Sequence, residues 1–271
     1  MTTSLKRFAG KVAIVSGGAD GMGAACVRQL ASEQARVFVL DVKHEMATAL
    51  AQELSDNGAD VTALKADVMD ESELRTAIAN AIELGGGVDT LINVAGGSAS
   101  GLVSEIDLGV WDRLYKLNLR STLTACQCVI PAMRDGGGGS IVTMSSISGL
   151  RGDPDWAAYN AMKAAILNMT QSLAWEEGQY GIRVNAICPG PVASERMLAT
   201  ISDAHVAEYA HAIALGRLGK AEELAQAILF LASDQASFVT GTSLVADGGL
   251  TASTAQPTSW AKLPRKPAKP I

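Results

Sequence analysis

The stretch Gly17-Gly18-Ala19-Asp20-Gly21-Met22-Gly23 places Gly17, Gly21 and Gly23 where an apolar strand pattern gives way to a helical one. Glycines at such a turn let the backbone bend tightly and approach a ligand closely. The helix that follows offers free N–H groups and partial positive charge to an anion. The chemistry these residues can do is pyrophosphate binding, although their spacing is G-x-x-x-G-x-G rather than the commoner G-x-G-x-x-G. Asp41 closes the second strand pattern, 18 residues after Gly23. A carboxylate there accepts hydrogen bonds from the adenosine ribose and repels a 2′-phosphate, which favours NAD over NADP. The alternative role for Asp41 is to cap the next helix. Gly18 brings no cation to the loop, and Lys43 is the nearby cation that could reach a phosphate.

A second group of residues lies in the middle of the chain. Tyr159 and Lys163 are four residues apart in a helical stretch and so share a face. Ser146 follows a strand pattern ending at Ser145, thirteen positions before the tyrosine, and so lies at a strand's carboxyl end. In doubly wound sheets, ligands bind beyond those ends. Asn118 lies in the middle of a helical pattern, an awkward place for a short polar side chain.

The elements that must position these residues alternate along the chain. Lys11–Ser16, Arg36–Asp41, Asp60–Lys65, Thr90–Val94, Ser140–Ser145, Arg183–Cys188 and Ser243–Ala246 read as seven buried strands. Between them, helical spacing runs over Gly21–Gln34, His44–Asn57, Ser72–Leu84, Val110–Met133, Ala157–Tyr180 and Ala221–Ser233. Asp70 and Glu73 form a capping-box pair before the third of these. Apolar strands alternating with helices predict an α/β, doubly wound (Rossmann-like) parallel seven-stranded sheet with helices on both faces. One dinucleotide-binding and catalytic domain is expected over residues 6–250. A tail with Pro257, Pro264, Pro267 and Pro270 follows over 251–271, expected to be extended.

The ordered set Gly17/Gly21/Gly23, Asp67-Val68, Asn93-x-Ala95-Gly96, Asn118, Ser146, Tyr159-x-x-x-Lys163 and Pro189-Gly190 resembles the short-chain dehydrogenase/reductase family, from about Phe8 to Leu250. The resemblance implies hydride transfer between NAD(H) and a secondary alcohol or ketone. Tyr159 would act as proton donor or acceptor, Lys163 as the cation that acidifies it, Ser146 as the group orienting the substrate oxygen, and Asn118 as a link in a water-borne proton path. A free phenol has a pKa near 10, and bringing it near neutrality takes about 4 kcal/mol. One cation at about 4 Å in an effective dielectric of about 20 supplies roughly that. The resemblance also implies cofactor contacts at Asp20, Met22, Asp67, Val68, Asn93, Ala95, Gly96, Pro189, Gly190, Val192 and Ser194. Ser16, Val94 and Ser194 depart from the family's usual Thr, Asn and Thr, and Asp20 puts a carboxylate beside the expected pyrophosphate, where it should face solvent or cap the helix. An NADPH-dependent 3-ketoacyl thioester reductase is the nearest rival, against which Asp41 speaks. A non-catalytic cofactor-binding protein on the same scaffold is the other.

The substrate side falls to Gly97–Gly101, Ser148–Trp156 and Glu195–Gly216, with Ser146, Ser148, Trp156, Tyr159 and Met197 as candidate contacts. Leu150, Trp156 and Met197 favour an apolar pocket and a hydrophobic small molecule. The last segment has helix-like apolar spacing that fits a lid. Similar proteins form homo-oligomers, commonly tetramers, and apolar residues over more than one face of Val110–Met133 and Ala157–Tyr180 fit a tetramer or a dimer.

The bulk properties exclude other classes. A net charge of -6 argues against nucleic-acid binding. Lys262, Arg265, Lys266 and Lys269 lie in the tail, and without them 18 basic residues face 28 acidic ones. Cys26, Cys126, Cys128 and Cys188, with His44, His205 and His211, show no metal-ligand or redox spacing. No leader or membrane span is visible, so a cytoplasmic protein with reduced thiols is expected.

Overall fold

The computed structural model describes residues 6–254. Seven strands form one parallel sheet: β1 (Val12–Ser16), β2 (Arg36–Asp41), β3 (Asp60–Lys65), β4 (Thr90–Asn93), β5 (Gly139–Met144), β6 (Ile182–Pro189) and β7 (Ser243–Ala246). Their order across the sheet is β3-β2-β1-β4-β5-β6-β7. Each strand lies within one or two residues of its predicted span, because Val/Ile/Leu runs buried on both faces leave little doubt about period or register.

Helices α1 (Gly21–Ser32), α2 (His44–Asp56), α3 (Glu71–Gly85), α4 (Leu108–Leu114), α5 (Ser121–Asp135), α6 (Ala157–Glu177), α7 (Glu195–Leu198), α8 (Asp203–Ala212) and α9 (Ala221–Ala232) complete the fold. Val27, Leu30, Leu50 and Ile228 from α1, α2 and α9 pack on one face with Val15, Val37 and Val39. Leu74, Ile78, Val129 and Leu173 from α3, α5 and α6 pack on the other with Ile14, Phe38 and Leu91. Alternate residues of one strand therefore feed two cores, as the pleat requires.

Three expectations are corrected. The helix predicted over Val110–Met133 is not continuous: a π-helical turn, Tyr115–Arg120, separates α4 from α5. The segment Glu195–Gly216, whose helix-like apolar spacing fits a lid, forms two short helices rather than one. Its apolar residues diverge, with Ile213 buried and Leu198, Tyr209 and Leu215 exposed. The capping box is only half formed: Asp70 accepts from the Glu73 N–H, but its own N–H goes to the Asp67 carbonyl. Most of the predicted tail, including all four of its prolines, lies outside the described residues.

The order of strands reverses at β1, which pairs with β2 on one side and β4 on the other. The loops leaving β1 and β4 in opposite crossovers open a crevice at that point, where doubly wound sheets bind ligands.

Candidate active site

The loop after β1 is shaped by its glycines. Gly17 and Gly21 have φ of +68° and +54°, a left-handed backbone that favours glycine. A Cβ on Gly17 would lie 2.7 Å from the Ala95 backbone, and one on Gly23 would lie 1.9 Å from the Gly17 carbonyl oxygen. A Cβ on Gly21 would meet nothing within 4 Å, so that glycine faces open space. The β1 loop thus presses against the β4 loop, and the first turn of α1 folds back against it.

Between these loops and those after β2 and β3 lies a cleft of about 360 Å³. Gly17, Asp20, Gly21, Met22, Asp41, Asp67, Val68, Ala95, Gly96 and Ser194 line it, all of them singled out from the sequence. Asp41 does not cap α2. Its two carboxylate oxygens accept from the Ala19 N–H at 3.0 Å and the Lys43 N–H at 2.9 Å, fastening the β1 loop to the β2 exit. Asp20 occupies the N-cap position of α1 without a capping bond, and its carboxylate meets the Lys43 ammonium at 2.8 Å. Gly23 and Asn93 are not among the residues that line the cleft. Asn93 is buried, and its side chain bonds to Ser16 and Cys126.

On the far side, Gly190 packs so closely on Asp247 that a Cβ would approach to 2.7 Å. Pro189 ends β6, and Val192 forms a parallel bridge with Gly219. The bridge uses the Pro191 carbonyl and the Ala193 N–H, so Val192's own N–H points to the opposite edge. Ser194 caps α7 by accepting from the Met197 N–H.

The second group assembles around Lys163, which is 3 % exposed. Its ammonium donates to the Met144 carbonyl at 2.8 Å and lies 5.5 Å from the centre of the Tyr159 ring. Burial pulls the Lys163 pKa down to about 8, and nearby Cys188 only partly opposes this. Asn118 is fully buried in the π-helical turn, a feature frequent at functional sites. Its side chain accepts from the Gly97 N–H at 3.2 Å and donates to the Gly97 and Leu114 carbonyls. A Cβ on Gly96 would lie 2.8 Å from Asn118 Oδ1 and 3.5 Å from Lys163 Nζ. Gly96 also lines the cleft, so it joins the glycine loop to the buried lysine.

Ser146 is 8 % exposed and extended, and its Oγ accepts from the Ser148 N–H at 3.1 Å. That bond uses an acceptor position and leaves the hydroxyl proton to be donated. Ser148 donates to Asp153 at 2.5 Å. Trp156 packs edge-on against Tyr159 with centroids 6.4 Å apart. Met197 is half-buried. Leu150, expected in the pocket wall, is half-buried and packs with Leu167, Ala186 and Cys188. The Gly101 N–H donates to the Asp155 carbonyl at 2.7 Å, tying together two of the three predicted substrate-side segments.

Sequence reasoning missed the supports. Ser145 is buried and donates to the main-chain carbonyl of Lys163 at 2.8 Å. Gly149 lies so close to the same carbonyl that a Cβ would be 2.8 Å away. A signal for Ser145 existed: consecutive residues leaving a strand point to opposite sides, so only one of two adjacent serines could face the cleft. The Met144 carbonyl carries no side-chain signal at all.

No helix among the described residues is long and apolar enough to cross a membrane. No group of three or more metal-ligating side chains occurs among them either.

A family model described as enoyl-(acyl carrier protein) reductase matches residues 17–251. The chain is 37% identical to 2-(S)-hydroxypropyl-CoM dehydrogenase 3 of Xanthobacter autotrophicus, over 91% of this chain and 98% of that one. It is 34% identical to 7alpha-hydroxysteroid dehydrogenase of Bacteroides fragilis, over 91% and 96% respectively. It is 37% identical to 3-alpha-(or 20-beta)-hydroxysteroid dehydrogenase of Mycobacterium tuberculosis, over 91% of each chain. The crystal structure of gox2181 superposes with a TM-score of 0.87 at 34% identity, covering 91% of this chain and 98% of that one.

Proposed function

The chain belongs to the short-chain dehydrogenase/reductase family, and on that premise we propose that it oxidises a hydrophobic secondary alcohol, or reduces the corresponding ketone, with NAD(H). Residues 6–250 serve as its single dinucleotide-binding and catalytic unit. Dehydrogenases of this family use a nicotinamide cofactor. The cleft suits one: the left-handed Gly21 faces open space, the helix α1 N-terminus lies beside it, and Asp41 stands at the β2 exit.

Gly17, Gly21, Met22 and Gly23 would hold the pyrophosphate, with Asp20 at the rim of that loop. Asp41 would hold the ribose, and Asp67 and Val68 the adenine. Asn93, Ala95 and Gly96 would form the floor, with Pro189, Gly190, Val192 and Ser194 beside the nicotinamide. When bound, the nicotinamide ring gives or takes the hydride.

The protein's own part is the proton. Tyr159 gives its hydroxyl proton to the carbonyl oxygen during reduction and takes the alcohol proton during oxidation. The Lys163 ammonium favours the phenolate by its charge, and its place in a desolvated pocket strengthens that effect. Ser146, with its acceptor side engaged by Ser148, donates its hydroxyl proton to the same oxygen. Asn118 secures the Gly97 loop that passes Lys163 and takes part in relaying the proton. Two of the relatives act on hydroxysteroids by name. With the apolar Trp156 packed beside Tyr159, they support a bulky apolar substrate.

The observation that carries this reading is the buried Lys163 ammonium set against the Tyr159 ring and joined through Gly96 to the glycine-lined cleft. The test is nicotinamide absorbance with sterols, terpenoids, aromatic alcohols, sugars and acyl thioesters, for native protein and Tyr159→Phe. Native turnover on an alcohol or ketone is expected, with loss of about 10²–10⁴-fold in the variant and cofactor binding retained. Full turnover by Tyr159→Phe would refute the assignment.

A further inference from the structure

Two contacts lie side by side at the adenosine end of the cleft. The β1 loop gives the Ala19 N–H to Asp41, and the β2 loop gives the Lys43 ammonium to Asp20. Asp20, Asp41 and Lys43 all line the same cleft. Lys43 is itself fixed next to Asp41, since its N–H donates to Asp41 Oδ1 at 2.9 Å. Asp20 has no other evident structural duty: it stands at the α1 N-cap position, yet its side chain makes no capping bond. A carboxylate at the mouth of a phosphate-binding loop is unfavourable unless a cation offsets it, and here the offsetting cation comes from the neighbouring loop.

We propose that Asp20 is a second selectivity residue, which holds the Lys43 ammonium in an ion pair and so withholds it from a 2′-phosphate on the adenosine ribose. This rests on the dinucleotide reading above and deepens it. Asp41 acts on the ribose directly, whereas Asp20 acts on the cation that would otherwise welcome NADP. The pair is half-exposed, with 54% and 40% of the two side chains accessible. Its hold is therefore modest, and so is the expected effect: about fivefold.

Calorimetric titration of NADH and NADPH separates the possibilities, because it reads binding without turnover. Asp20→Asn should tighten NADPH binding about fivefold relative to NADH, and 0.5 M salt should shrink the gain. Asp20→Ser, which restores a capping side chain, should give the same shift. Adding Lys43→Gln to either variant should abolish the gain. An unchanged NADPH-to-NADH ratio in both Asp20 variants overturns the proposal. So does an equal gain with Lys43→Gln present, since removal of a negative charge alone would then explain it. Native protein that binds NADPH more tightly refutes the NAD preference, while the ratio change in the Asp20 variants still decides this proposal. Native protein that binds neither dinucleotide overturns both.

Discussion

The two ends of the sheet each carry a glycine-edged cleft, and the cations lining the amino-end cleft are used differently from the buried Lys163 at the carboxyl end. The amino end has a cleft of about 250 Å³ lined by Arg7, Lys11, Gly136–Gly139, Gly181 and Arg183. There Arg7 pairs with Glu33, Lys11 with Asp89, and Arg183 donates to the carbonyls of Leu231, Ala232, Ser233 and Val239. At the carboxyl end the buried Lys163 has no carboxylate partner among the described residues, and its ammonium donates to the Met144 carbonyl. The difference follows from helix direction. Strand amino ends receive helix C-termini, whose unsatisfied carbonyls attract cations, and Arg183 satisfies those at the end of α9. Strand carboxyl ends launch helices, whose N–H groups attract anions. A cation buried there is held against its own desolvation cost, which is a sign of function rather than of stability.

Removing the cation at each end should give opposite outcomes. Lys163→Met should lower kcat/KM by about 10²–10⁴-fold without lowering thermal stability at pH 7, because the methionine carries no charge to desolvate. A clear loss of stability in this variant would mean that the lysine is structural and that the two ends do not differ as described.

Arg183→Met should do the reverse. It leaves the α9 carbonyls without their donor and should destabilise the fold by about 1–3 kcal/mol, read from denaturant unfolding. Turnover should stay within about twofold under folding conditions, since Arg183 lies at the other end of β6 from Pro189.

The smallest effect is in pH. Between about 8, the folded value for Lys163, and 10.5, its ordinary value, the unfolded chain holds the proton that the folded chain has released. Stability from this group therefore rises with pH across that window. Over the same window the charge acting on Tyr159 disappears. Carbonyl reduction should fall about fivefold in kcat/KM from pH 8 to 9. The stability gained by native protein over that range should exceed that of Lys163→Met. Reduction that stays level to pH 10 would separate Lys163 from the reaction.

Much of the carboxyl end was legible because its signals are local. A glycine loop between a strand and a helix, an acid closing β2, and a tyrosine and lysine one helical turn apart depend on backbone conformation and periodicity within a few residues. Asn118 shows where that ends. In sequence it is an ill-placed polar residue in one long helix. In the structure the helix opens into a π-helical turn, and the side chain reaches Gly97, 21 residues away. Leu150 shows the same limit from the other side, since an apolar residue near a site can serve the core as well as the pocket.

By itself, then, the amino-acid order determined the seven strands, most of the helices between them, and which residues stand at the carboxyl ends, because a two- or four-residue repeat is written along the chain. Only tertiary packing decided that Lys163 is sealed from water, that Ser145 turns inward to its carbonyl while Ser146 faces the other way, and that Asp20 and Lys43 meet across two loops. The charge a lysine carries and the proton a phenol will release depend on solvent exclusion and on neighbours drawn from distant segments, and no spacing along the chain encodes those distances.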